Sequence, residues 1–146
     1  MLRRLLLSAA LLAAALAPRA LPAQEPAPLQ NFIASVARLW AAGDAEELAE
    51  LAADGSIILD LGGDGPGSVQ PRNAAAALRR LFGDRDNVSV RPRQVTLSGG
   101  TPVRGFGELT WVSRPRGVTE SLTSVVYVGA VWERGAWRLR ELRLLR

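Results

Sequence analysis

At 146 residues, without cysteine, histidine or lysine, the chain excludes disulfide cross-links, thiol catalysis, imidazole bases and ligands, and lysine Schiff bases before any pattern is read. Carboxylates, hydroxyls, one tyrosine and arginine remain for any chemistry. All 18 basic residues are arginine against 14 acidic ones, a formal charge of +4 that falls to +1 without Arg3, Arg4 and Arg19, too slight an excess to make nucleic acid the expected partner.

Arg3 and Arg4 precede an apolar run over residues 5–17, and Leu21-Pro22-Ala23 offers a small residue before Gln24. That order of basic, apolar and small residues is the pattern of a cleaved export signal over residues 1–23. The run is shorter than the roughly 18 residues a membrane span needs, so no stable membrane anchor is expected after cleavage. The arginine pair also admits a twin-arginine route, although no serine or threonine precedes it. Export to the periplasm or the medium follows. Cleavage after Ala23 would remove three arginines, leaving 15 against 14 acids and a net charge of +1. The remainder is lopsided: residues 24–71 hold one arginine and eight acids, residues 72–146 fourteen arginines and six acids.

Residues 24–28 read as a flexible, proline-containing leader, and residues 29–146 as one domain. Leu29, Phe32, Ile33, Val36, Leu39 and Trp40 recur at spacings of three and four, predicting a helix that Gly43 terminates. Asp44 stands three residues before Glu47, a capping arrangement for a second helix that buries Leu48 and Leu51. Asp54-Gly55 stops it. Residues 56–61 read as a short covered strand, and residues 62–67 as a glycine-rich loop. Pro71 then suits the first turn of a third helix, whose inner face is Ala74, Ala77, Leu78, Leu81 and Phe82.

From Asn87 onward the apolar period becomes alternating, with strands expected over residues 88–97, 103–114, 119–133 and 137–145 and turns at Gly99-Gly100, Arg116-Gly117 and Arg134-Gly135. Such short connections imply an antiparallel meander. A phase change at Pro92 and another between Leu139 and Leu142 predict bulges. Trp132 and Trp137 flank a tight turn and are expected to pair across it. The fold class is therefore α+β, with three helices in the N-terminal half packed on a curved antiparallel sheet.

Two landmarks carry a family resemblance. Trp40-Ala41-Ala42-Gly43-Asp44 resembles the helix-to-helix turn of the nuclear-transport-factor-two-like superfamily, and Gly135-Ala136-Trp137-Arg138-Leu139 resembles its last hairpin. The ending Glu141-Leu142-Arg143-Leu144, with the small size and the export signal, is most similar to a small exported family of unknown function. The resemblance implies a cystatin-like cone with a pocket at its wide end, and a role ranging from ligand binding to isomerisation or protein contact. Fold alone does not choose among them.

Asp60, a carboxylate after three apolar strand residues, is the strongest candidate for a general base; the plainer reading is a strand end facing water or arginine. In the isomerases that the chain resembles, an aspartate works with a tyrosine and a second acid. Here Phe32 and Trp40 occupy the first helix, and Glu108, Glu120 and Tyr127 lie on later strands, so the set is incomplete. Trp40, Asp60, Phe82, Trp111 and Tyr127 are the candidate pocket residues for a small apolar or amphipathic ligand; helical and strand spacing makes the aromatics core residues first. Asp64 sits among glycines that lack a phosphate-loop spacing. No cofactor and no metal are expected, since the carboxylates are too scattered for a calcium loop. Arginines along the strands read as a solvated face rather than a basic binding surface. The strand bearing Tyr127 is apolar on both faces, which offers a route to a homodimer through the sheet. A noncatalytic binding or protein-interaction domain is expected, with an isomerase or dehydratase-like enzyme using Asp60 as the alternative.

Overall fold

A computed structural model describes residues 26–63 and 65–145. The expected signal over residues 1–23 and the loop residue Asp64 lie outside them. The elements in chain order are α1 (Leu29–Ala42), α2 (Ala45–Glu50), β1 (Ile57–Asp60), β2 (Gly67–Val69), α3 (Pro71–Gly83), β3 (Arg85–Gly99), β4 (Arg104–Pro115), β5 (Leu122–Glu133) and β6 (Ala136–Leu145).

The helix boundaries follow local chemistry. Gly43 adopts φ 67°, closing α1 as its N–H bonds Trp40 O at 3.0 Å and that of Asp44 bonds Leu39 O at 3.0 Å. Asp44 Oδ1 accepts from the Glu47 N–H at 3.1 Å to start α2. Pro71 opens α3.

The strands form one sheet in the order β2-β1-β6-β5-β4-β3. β3 through β6 make the expected antiparallel meander. The sheet as a whole is mixed, because β1 pairs parallel with β6. Connection length predicts the orientation of consecutive strands only, and β1 meets β6 across most of the domain. Residues 67–69 form β2 beside β1 rather than loop, and β3 starts earlier than expected. Register shifts fall between Asn87 and Ser89, Pro92 and Gln94, and Leu97 and Gly99 in β3. In β6, Arg140 is the extra residue opposite Gly129 and Ala130, so both predicted phase changes are bulges.

One sheet face packs on the helices. Ile57, Leu59, Leu109, Trp111, Val126, Val128, Leu139, Leu142 and Leu144 point inward to meet Ile33, Val36, Trp40, Leu48 and Leu78, all buried. β4 admits α1 closely because two of its inward positions are glycine. A Cβ on Gly107 would lie 2.8 Å from Ile33 Cδ1, and one on Gly105 would overlap Leu29 Cδ2. Trp132 and Trp137 pair in register with centroids 5.5 Å apart at 74°, edge to face.

Candidate functional site

The sheet divides the five candidate pocket residues between two environments. Trp40 and Trp111 are wholly buried on the helix side, where the Trp40 ring meets Phe82 edge-on at 5.1 Å and Trp111 at 5.3 Å. These aromatics fill the interior of the cone as core. Asn87 fixes them: its Nδ2 donates to Trp40 O at 2.8 Å and Ala41 O at 3.0 Å, while its Oδ1 accepts from Trp111 Nε1 at 2.6 Å. One amide thus satisfies two carbonyls at the end of α1 and a buried indole N–H. Sequence reading missed it, since an isolated asparagine at a strand start carries no periodic signal.

Asp60 and Tyr127 lie on the opposite, outer face. Asp60, Arg143 and Tyr127 are register neighbours across β1, β6 and β5, so the arginine stands between the carboxylate and the phenol. Asp60 Oδ1 instead accepts from its own turn, the Gly62 N–H, at 3.2 Å. The general-base alternative requires Asp60 in an enclosed apolar pocket facing a donor. Asp60 is instead half-buried at the end of β1, engaged by its own turn and paired in register with Arg143.

What the outer face does form is a recess beside Gly129. Phe106, Gly129 and Glu141 are in register across β4, β5 and β6, followed one pair along by Glu108, Tyr127 and Arg143. Phe106 and Tyr127 stack with centroids 5.7 Å apart and planes 25° from parallel. Beside Gly129 a recess of about 320 Å³ is lined by Ile58, Arg104, Phe106, Tyr127, Arg140 and Glu141. A further 350 Å³ adjoins it beside Tyr127, Glu141, Arg143 and Leu145. Glycine is required there for close approach: a Cβ on Gly129 would come within 3.0 Å of Glu141 Cβ and 3.6 Å of Tyr127 Cε1, so these two side chains pack directly over it.

The charges here are partly committed. Glu141 is ion-paired with Arg143. Arg93 Nη1 approaches Glu108 Oε2 at 4.0 Å. Burial and then Glu141 push the Tyr127 phenol above its ordinary value of 10.0, Arg143 opposing and Glu108 adding to the rise. The phenol therefore stays a neutral donor at physiological pH. Among the described residues, no carboxylate lies within 4.0 Å of Arg104 or Arg140. The alternation of β4 reveals that Phe106 opposes Leu109 and Trp111; the bulge that brings in Arg140, and the recess beside Gly129, require three strands in register.

A larger recess of about 430 Å³ opens where α1 begins, lined by residues including Pro26, Pro28, Leu29, Val95, Leu97 and Trp137. The leader partly builds it, because Trp137 Nε1 donates to Ala27 O at 2.7 Å. Among the described residues it holds no titratable side chain, so chemical selectivity favours the outer face. Among the described residues no three acidic side chains converge as a metal site would require, and no helix is long and apolar enough to cross a membrane.

The fold is nuclear-transport-factor-two-like, a cystatin-like cone. A DUF4783 family protein from Bacteroides ovatus is similar at TM-score 0.61 and 15% identity, over 76% of this chain and 91% of that one. An NTF2-like protein with a cystatin-like fold from Novosphingobium aromaticivorans is similar at TM-score 0.57 and 19% identity, over 80% and 77%. A domain of unknown function with a cystatin-like fold from Nostoc punctiforme reaches TM-score 0.61 at 13% identity, over 81% and 74%. No family model matches the chain, and no curated protein matches it.

Proposed function

We propose that the chain is an exported, noncatalytic binding domain that seats a small amphipathic molecule in the recess beside Gly129. The observation carrying this reading is the stacked Phe106–Tyr127 pair lining a recess of about 320 Å³ on a face turned away from the helices. Aromatic walls with a few polar groups at the rim suit a ligand. The nearby acids have structural duties: Glu141 pairs with Arg143, and Asp60 holds its turn. Export rests on the pattern of residues 1–23.

Titration of the purified protein with the uncharged fluorophore N-phenyl-1-naphthylamine tests the seat. Saturable binding that is lost in Phe106→Ala and Gly129→Val, with melting temperature retained in at least one of them, is the expected result. Binding indifferent to both would refute the assignment.

A second reading, a homodimer through the same face, is favoured by Val125 and Leu145. They are register partners at the other end of that face, Leu145 being 45% exposed. Light scattering would distinguish it, a monomer at high concentration ruling out the pairing.

A further inference from the structure

We infer that the recess beside Gly129 selects a planar organic anion, an aromatic ring bearing a carboxylate or sulfonate, held between Arg104 and Arg140. The inference rests on the binding reading above and adds the chemical class of the ligand.

Arg104 opens β4 opposite Val131, and Arg140 is the bulged residue of β6, so the two approach the same recess from different strands. A bulge re-aims the side chain it carries. Both residues line the recess, and among the described residues neither has a carboxylate within 4.0 Å. Among the described residues the single acid on the rim, Glu141, is ion-paired with Arg143. The rim is therefore positive, with guanidinium forks suited to bidentate contact with a planar oxyanion.

The remaining walls specify the body of the ligand. Phe106 and Tyr127 line the recess and stack on one another, so the ring surface left outside that pair is the apolar wall for a flat group. The phenol, held neutral, donates rather than repels an anion. The recess of about 320 Å³ fits one or two rings and not an extended polymer.

The test compares two probes of similar shape on the full chain after expression with its leader: 1-anilinonaphthalene-8-sulfonate and the uncharged N-phenyl-1-naphthylamine, with benzoate as competitor. The sulfonate should bind about tenfold more tightly at low salt, the advantage shrinking as salt shortens the range of charge interactions. Arg104→Gln with Arg140→Gln should abolish most of that advantage and leave the uncharged probe within about twofold. Phe106→Ala should weaken both probes, separating this seat from the recess at the start of α1. Equal affinities that the arginine substitutions leave unchanged would overturn the anion inference while the seat survives. Binding of neither probe, or binding unaffected by Phe106→Ala, would remove the seat and the inference together. If the double substitution lowers the melting temperature, each single substitution read by benzoate competition decides the same question, unchanged competition in both counting against the inference.

Discussion

Replacing Asn87 by alanine removes three hydrogen bonds at 2.8, 3.0 and 2.6 Å in one step. Their losses differ. The Ala41 carbonyl lies at an exposed contact and the Trp40 carbonyl at a partly buried one, so water replaces much of what the amide supplied, at a cost of about 0.5 kcal/mol each. Trp111 is wholly buried, and stranding its indole N–H costs about 2 kcal/mol. The sum is about 3 kcal/mol, or a fall of roughly 12 °C in melting temperature for a domain of this size. Thermal and urea denaturation followed by circular dichroism measure it. Asn87→Asp sharpens the test: the carboxylate still accepts from Trp111 but cannot donate, and it places negative charge against the carbonyl end of α1. Its deficit should exceed that of alanine at neutral pH and shrink in acid, where protonation restores a donor. Alanine melting within about 2 °C of the parent would refute the reasoning.

Three further outcomes follow from the geometry. Gly107→Ala should cost about 1–3 kcal/mol in urea unfolding, because its Cβ would press Ile33 at 2.8 Å; an unchanged midpoint would show that α1 shifts freely. Tyr127 is the only tyrosine, so absorbance near 295 nm (about the phenolate band) reads it alone: its midpoint should lie above 10.0, and Glu141→Gln should lower it. With the native phenol holding its proton more tightly than the unfolded one, this group's contribution to stability is intact below pH 10.0 and lost as pH rises through the folded value. A midpoint at or below 10.0 contradicts the account. Trp137→Phe should release Ala27, costing about 1 kcal/mol and speeding proteolysis within residues 24–28 while the rest of the domain resists.

Legibility in the sequence tracked the range of the interaction. Gly43, Asp44, Pro71 and the Arg134-Gly135 turn act over a few residues, and each does in the fold what its local chemistry requires. The bulges at Pro92 and Arg140 were visible as breaks in alternation. By contrast, the parallel β1–β6 pairing, the Asn87 clamp and the Gly129 recess join residues far apart in the chain. The aromatic candidates show the same limit: spacing marked Trp40, Phe82 and Trp111 as apolar partners, while only the completed sheet separates them from Asp60 and Tyr127.

The irregularities of β3 have a consequence for how the sheet meets other chains. This 15-residue strand borders the sheet, and a straight one of that length would template pairing with any passing chain. Its longest unbroken runs of register, Ser89–Pro92 and Gln94–Leu97, are four residues each, shorter than the roughly six or seven that stack into amyloid-like zippers. Pro92 withholds an N–H at the end of the first run, and Arg93 adds charge where the register breaks. The same breaks that bend the sheet thus guard its border against aggregation.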